Sequence, residues 1–176
     1  MKRLTAVLLA LLFFGVTGAQ AADLKIGFID LQKALNVSAE GKAAKEKITA
    51  KVKEYEGVIE KRQQELKKLK DDLEKQAVLL SEDARGAKER DYQQKLKDFQ
   101  RFTKDIQDEL QQQDSDFTGQ IIEKIVSLVQ EIGQRDGYQM ILERSSGGII
   151  YGADSVDLTE VVLKEFDARY QKSQTK

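Results

Sequence analysis

The segment from Ala39 to Asp136 constrains the fold more than any other part of this 176-residue sequence. It is rich in charged residues and contains no proline, and its apolar residues recur every three or four positions. A proline in a helix interior costs about 3 kcal/mol, so a segment without one can form uninterrupted helices. We therefore predict two antiparallel helices that form one long coiled-coil hairpin over 39–136, with its tip near 78–83.

The predicted outgoing helix has an apolar seam with an average spacing of about 3.5 residues, which is typical of a coiled coil. Ser38 is expected to cap its N-terminus, and Ser81 that of the return helix. Two seam positions hold the polar residues Arg62 and Gln76, so we expect the half of the hairpin near the tip, between Arg62 and Tyr92, to be flexible. The apolar seam residues are Ile48, Val52, Tyr55, Ile59, Leu66, Leu69, Leu73 and Leu80.

The predicted return helix keeps one apolar face over most of its length. After Phe117 that face widens to include Ile122, Val126 and Val129, which indicates that the helix enters a hydrophobic core there. Gly137 follows, and it is expected to end the helix in a left-handed conformation.

Three short segments outside the hairpin have the pattern of strands, at 24–29, 138–143 and 149–151. In the first two segments, apolar residues recur at nearly every second position. The serines and glycines at 145–148 predict a turn that joins the last two strands as a β-hairpin. The fold class is therefore mainly α with a small β part.

The D-x-x-E pattern of Asp157 and Glu160 predicts the start of a final helix. Together, 22–38 and 137–171 form a predicted base from which the hairpin projects, and 172–176 form a flexible tail. A base of this size buries too little surface to be stable alone, and the chain has no cysteine for disulfides. We therefore expect several copies to associate through the base. The candidate residues for this contact are Leu24, Ile26, Phe28, Met140, Leu142, Ile149 and Tyr151.

The first 21 residues have the pattern of a signal peptide, in which Lys2 and Arg3 precede an apolar run at 4–16 and an Ala-Gln-Ala cleavage site at 19–21. The run is shorter than the roughly 20 residues that span a bilayer, and an uncleaved N-terminal anchor is the alternative. Cleavage leaves 27 positive and 30 negative residues, a net charge of −3. That charge gives no general attraction to nucleic acid or to anionic membranes.

Residues that usually carry catalysis are scarce. The chain has no histidine or cysteine, and paired acids such as Asp71 and Asp72 are expected to lie on a solvated helix face. No glycine motif for phosphate binding is present, and the carboxylates do not cluster as metal ligands do. We therefore predict no enzymatic activity, no cofactor and no metal.

Several apolar residues of the hairpin are candidates for binding another polypeptide. Phe99 and Phe102 either pack within the hairpin or face an apolar client, and both interpretations are open. A basic stretch at 61–70 is offset by neighbouring acids, which does not favour a specific anion site. Scattered apolar residues among mixed charges suit weak binding at many points. The candidate client contacts are Val58, Val78, Leu79, Phe99 and Phe102.

Short motifs follow one another along the exported part of the chain. They are Lys25-Ile26-Gly27-Phe28-Ile29-Asp30-Leu31, Gly41-Lys42, Leu80-Ser81-Glu82-Asp83-Ala84-Arg85, Gly137-Tyr138, Ile141-Leu142-Glu143, Ile149-Ile150-Tyr151 and Asp157-Leu158-Thr159. In their order and spacing, these motifs resemble the Skp (OmpH-like) family of periplasmic chaperones for outer-membrane proteins.

The resemblance implies a homotrimer of jellyfish shape, in which strands of three subunits form a central barrel and three hairpins surround a cavity. It also implies an ATP-independent holdase in the periplasm, whose partners are unfolded outer-membrane β-barrel proteins. The best-known members are strongly basic, whereas this exported chain is slightly acidic, so no lipopolysaccharide site is assigned. The alternative hypothesis is a structural coiled-coil spacer or adaptor of the cell envelope, which requires a rigid seam.

Overall fold

The structure, a computed structural model, describes residues 24–76 and 79–175. The predicted signal peptide at 1–21 and Val78 lie outside these residues. The fold is mainly helical with a small sheet, which confirms the predicted fold class. In chain order the elements are β1 (Ile26–Ile29), α1 (Leu31–Val37), α2 (Ala39–Gln76), α3 (Glu82–Asp136), β2 (Met140–Glu143), a 3-10 turn (Asp154–Val156) and α4 (Thr159–Gln174).

Helices α2 and α3 run antiparallel and form a long arm. At the start of α2, Glu40 pairs with Lys124 near the end of α3, at 2.5 Å. At the end of α2, Gln76 accepts a hydrogen bond of 2.7 Å from Lys88 near the start of α3. The order of these contacts confirms the predicted antiparallel hairpin.

The helix termini have local hydrogen bonds and backbone conformations at the residues that the sequence predicted as caps. The Gly41 amide donates to Ser38 Oγ at 3.1 Å, and the Ala84 amide donates to Ser81 Oγ at 3.4 Å. Gly137 ends α3 with φ 74° and ψ 30°, in the left-handed conformation that favours glycine.

The junction between α1 and α2 requires a glycine. A Cβ atom at Gly41 would lie 1.9 Å from the carbonyl oxygen of Leu35, a backbone atom that cannot turn aside. The Ala39 amide at the start of α2 donates to Asp167 Oδ1 of α4 at 2.8 Å. The root of the arm is thus fixed both to the preceding helix and to the C-terminal helix.

The two strands pair in parallel, with register from Ile26↔Met140 to Ile29↔Glu143. Parallel strands need a long crossover connection, and here that connection is α1 and the whole arm. Both ends of the arm are therefore held by one small sheet.

The predicted third strand and the predicted β-hairpin are wrong. Residues 144–148 do form a turn, but 149–151 lie outside any strand, and the sheet within the described residues has two strands. The chain after the turn does not return along the free edge of β2, because it crosses to β1, where Gly152 packs against the Phe28 ring. Instead, Asp157 forms a single parallel bridge with Phe28 on the other edge of β1.

The last helix begins and ends later than the sequence indicated. Leu158 occupies the N-cap position without a side-chain cap, and Asp157 Oδ1 accepts a hydrogen bond from the Thr159 amide at 2.8 Å. The helix continues to Gln174, beyond the predicted end of the base at 171.

The hydrophobic core lies in the base and the root of the arm. Ile125 of α3 and Val162 of α4 are fully buried at its centre. This confirms that α3 enters a core after Phe117, although Val126 is 36% exposed and not part of it. The remaining buried core residues are Ile29, Ala34, Leu35, Ile121, Leu128, Ile132, Leu158 and Phe166.

Candidate functional site

The arm has apolar residues but hardly any core of its own. Helix α2 is described in full and contains no buried residue. Each apolar residue of its predicted seam is half-buried, and Ile106 is the buried residue of α3 nearest the tip. Two helices alone cannot cover both faces of their seam, so apolar surface stays accessible along the arm.

A groove between α2 and α3 collects part of this surface. It has a volume of about 980 Å³ and is open to solvent, and along α2 it extends from Glu54 to Asp72. We call its apolar lining residues, Val58, Leu66, Leu69 and Phe99, the floor. We call this feature the arm groove.

Charged side chains of both signs also line the arm groove, and we call them its rim. The cations are Lys61, Arg62, Lys68 and Lys95, and the anions are Glu54, Glu65, Asp72 and Asp98. None of these eight forms an ion pair with another residue in the described part of the chain, although Asp98 accepts a hydrogen bond from Gln94 at 3.1 Å. The rim therefore has as many positive as negative charges.

A polar cluster joins the helices on the base side of the groove. Glu109 of α3 accepts hydrogen bonds from Lys51 Nζ at 2.9 Å, from Tyr55 OH at 2.8 Å and from Gln113 Nε2 at 2.8 Å. The hydrogen bonds from Lys51 and then Tyr55 lower the pKa of Glu109, and the bond to Glu109 raises the pKa of Lys51 and of Tyr55. We call Lys51, Tyr55, Glu109 and Gln113 the Glu109 latch.

The two phenylalanines of the arm have different surroundings. The guanidinium carbon of Arg62 lies 3.9 Å from the centroid of the Phe102 ring, in cation–π geometry. Phe102 thus packs within the arm, and Phe99 lines the groove. In the sequence, Arg62 is a polar interruption of the apolar seam. Its contact with Phe102 could have been predicted from the antiparallel pairing, which places this arginine opposite an aromatic residue of the facing helix.

The other candidate client contacts are scattered. Val58 is 37% exposed and lies in the groove floor, whereas Leu79 is 86% exposed near the tip and outside the groove. Val78 lies outside the described residues. The structure therefore brings Val58 and Phe99 together and leaves Leu79 apart.

The base carries a second apolar surface beside the two strands. Its exposed residues are Leu24, Ile26, Met140, Ile150 and Tyr151, which we call the base surface. Ile150 is fully exposed and was not among the sequence candidates. Alternation in a strand over 149–151 would place Ile150 on the face opposite to Ile149 and Tyr151.

Phe28 does not belong to the base surface. It is 6% exposed, and a Cβ atom added to Gly152 would lie 2.4 Å from its ring, so the ring packs on that glycine. Leu142 and Ile149 are half-buried. Folding of the single chain therefore buries a residue that the sequence assigned to contact between copies.

In residues 24–76 and 79–175, no helix combines the length and hydrophobicity that crossing a membrane requires. No group of acidic side chains there is arranged to hold a metal ion.

The chain belongs to the OmpH-like family of outer membrane proteins, because the model of that family matches residues 25–166. The match covers both strands, the arm and the first half of α4. No curated protein matches the sequence.

The fold is also similar to that of a solved structure from Caulobacter crescentus CB15, which is described as a proposed outer membrane chaperone (OmpH-like). The TM-score is 0.77 at 17% sequence identity, over 82% of this chain and 85% of the other. At that identity the similarity establishes the shared fold.

Proposed function

We propose that this protein is an ATP-independent chaperone that holds unfolded outer-membrane proteins in the periplasm and prevents their aggregation. The observation that carries the proposal is the apolar surface of the arm, which packing of α2 on α3 leaves half exposed. Membership of the OmpH-like family and the description of the Caulobacter protein support it. The proposal includes no catalysis and no cofactor.

In this mechanism, holding is the sum of weak contacts. Full burial of a large apolar side chain yields about 1.5–3 kcal/mol, and each half-exposed arm residue can add only part of that. Several contacts are therefore needed to retain a client, and each one can be exchanged for another. Release follows when the client folds into its membrane, because a folded barrel turns its apolar residues to lipid.

We further propose that copies associate through the base surface, as a homotrimer by analogy with the family. Within the described residues β2 pairs only with β1, so its second edge has unpaired backbone groups beside exposed Met140. Association would place several arms around one space. Light scattering of the exported chain is expected to give the mass of a trimer at micromolar concentration, and a folded monomer would contradict it.

The periplasmic location follows from the predicted signal peptide. Cell fractionation and N-terminal sequencing of the native protein are expected to find a periplasmic chain that begins at Ala22. A membrane-bound chain that begins at Met1 would instead support the anchor.

Aggregation of a denatured outer-membrane porin tests the chaperone function directly. The purified exported chain is expected to suppress light scattering by the diluted porin at a stoichiometric ratio and without nucleotide. Unchanged scattering would refute the proposal.

One observation favours a second candidate, the structural spacer of the envelope. Helix α3 continues for 55 residues without interruption, which suits a spacer that bridges two components. A spacer is expected to retain a single folded partner in a pull-down and to leave porin aggregation unchanged.

A further inference from the structure

The arm groove combines apolar residues with charged residues of both signs in one open lining. None of the eight charged residues forms a salt bridge in the described part of the chain. Arg62 stacks on Phe102, and Asp98 accepts a hydrogen bond from Gln94. Three cations and three anions, Lys61, Lys68, Lys95, Glu54, Glu65 and Asp72, are thus left to interact with a ligand.

We propose that each arm binds one extended segment of an unfolded polypeptide along this groove. Alternate side chains of the segment lie on the apolar floor, and its backbone is hydrogen-bonded to the rim. The inference rests on the chaperone function proposed above, and it specifies what the arm recognises.

The chemistry of the rim fits the backbone of an extended chain. Such a chain has unpaired N–H donors and C=O acceptors on both sides, because no neighbouring strand satisfies them. Lysine and arginine donate to carbonyl oxygens, and carboxylates accept from amides, in charge-assisted hydrogen bonds. Since every polypeptide has this backbone, a rim of both signs can bind many sequences.

The length of the groove agrees with such a segment. Eighteen helical steps from Glu54 to Asp72 span about 27 Å, since each residue rises 1.5 Å. An extended chain covers that distance with about eight residues at 3.3 Å each. A membrane-spanning β-strand has about 9–11 residues with apolar side chains on one face, so the groove is long enough for most of one such strand.

The balance of the rim argues against other occupants. A polyanion such as a nucleic acid would meet as many carboxylates as cations. A helix would satisfy its own backbone, so only its side chains could interact with the rim charges. An extended segment, in contrast, packs its side chains on the floor and hydrogen-bonds its backbone to the rim.

A labelled peptide of about ten residues, with leucine and threonine in alternation, tests the inference on the full exported chain. Fluorescence anisotropy is expected to show binding. N-methylation of alternate amides removes donors and retains the side chains, and it is expected to weaken binding by at least about tenfold. A peptide of the same composition with its leucines contiguous is expected to bind more weakly as well.

Matched variants locate the binding to the groove. Val58→Asp places a charge in the floor, and Val126→Asp makes the same change at nearly equal exposure, 37% and 36%, outside the groove. The first is expected to weaken peptide binding by about tenfold or more, and the second to leave it unchanged. Circular dichroism establishes that both variants are folded.

A charge-neutral pair of substitutions tests the rim. The double variant Lys61→Gln and Glu65→Gln removes one donor and one acceptor of the rim, and Lys53→Gln with Glu56→Gln removes the same charges from the exposed face of α2 outside the groove. Weaker peptide binding is expected for the rim variant alone.

The outcomes separate this inference from the proposed function. If the wild-type chain suppresses porin aggregation but binds the N-methylated and unmodified peptides equally, the groove inference is wrong and the chaperone function stands. Equal peptide binding by the Val58→Asp and Val126→Asp variants would likewise refute the groove inference and leave the chaperone function standing. If the wild-type chain neither suppresses aggregation nor binds peptide, the proposed function itself is refuted.

Discussion

At the scale of single residues, two glycines of α2 have opposite surroundings. A Cβ atom at Gly57 would have no atom within 4 Å, whereas one at Gly41 would lie 1.9 Å from Leu35 O. Gly57 thus lowers helix stability without a steric need, and Gly41 allows the close approach of α1 to α2.

The same substitution is therefore expected to act in opposite directions. Gly57→Ala should raise the free energy of unfolding by about 0.5–1 kcal/mol through helix propensity. Gly41→Ala should lower it by about 1–3 kcal/mol, because the backbone must move. Urea denaturation followed by circular dichroism measures both, and a loss of stability in Gly57→Ala would show that the position is packed.

Glu143 holds the turn that follows β2. Its side chain accepts hydrogen bonds from the hydroxyl group of Ser146, at 2.6 Å, and from the Ser146 amide. These bonds lower the pKa of Glu143 from 4.5 to about 2, with the side-chain bond as the larger cause. Because the pKa is lowered in the folded state, the contribution to stability is present above pH 4.5 and is lost as the pH falls toward 2.

Ser146→Ala removes the larger of these two causes. The pKa of Glu143 is expected to rise toward its ordinary value, and the turn should loosen at a higher pH than in the wild type. A carboxyl NMR titration of both proteins measures the shift. An unchanged pKa would mean that the Ser146 amide alone holds the carboxylate.

At the scale of the elements, burial decreases along the arm from base to tip. Ile121, Ile125, Leu128 and Ile132 of α3 are buried at the root, and Ile106 is the last buried residue toward the tip. Beyond it, the described seam residues are half-buried at best. Local opening is easiest where few apolar contacts are lost, so the distal arm should open first.

Hydrogen exchange is expected to follow this gradient. Amides between Arg62 and Tyr92 should exchange faster than those at 121–132, because opening the distal arm exposes little buried surface. Mass spectrometry of peptic fragments measures the difference. Equal protection of the tip and the root would favour the rigid spacer.

The Glu109 latch should limit how far this opening extends toward the base. Glu109→Gln removes the charge that Lys51 and Tyr55 bind, so exchange in the neighbouring turns of α2 and α3 is expected to increase. The pKa of Glu109 is lowered in the folded state, so the latch holds above the ordinary value of 4.5 and is lost as the pH falls through the folded value.

A matched variant tests whether the latch acts between the helices. Glu74 pairs at 3.9 Å with Lys70 of its own helix, so Glu74→Gln should leave the exchange near Glu109 unchanged. If hydrogen exchange near Glu109 increased equally in both variants, the loss of any carboxylate on the arm would loosen it, and the latch would have no special role.

At the scale of the whole molecule, the base decides whether copies associate. The base surface consists of exposed apolar residues. A surface of this kind usually marks an interface.

Substitution of Met140 tests this role of the base surface. Met140→Asp, at a residue 51% exposed, is expected to dissociate the oligomer, because a charge would be buried between copies. Val161→Asp makes a similar change at a residue 47% exposed on α4, and it should leave the mass unchanged. Sedimentation velocity measures both, and an intact Met140→Asp oligomer would place the interface elsewhere.

The sequence by itself determined the long helices, because their signals are local. Apolar spacing, the absence of proline and the capping residues Ser38, Ser81 and Gly137 all act within a few residues along the chain. The same signals predicted that α3 enters a core after Phe117, and the buried residues confirm this. The apolar residues of the groove could be named for the same reason, although not their arrangement.

Only the tertiary structure decided which distant segments meet. Parallel pairing of β1 with β2 depends on the closure of the whole arm between them, and 149–151 stay outside the sheet because the chain crosses to the other edge of β1 at Asp157. The stacking of Arg62 on Phe102, the burial of Phe28 and the mixed charges of the groove likewise depend on which distant side chains face one another. Contacts between residues far apart in sequence leave no periodic pattern in either segment, so the fold alone establishes them.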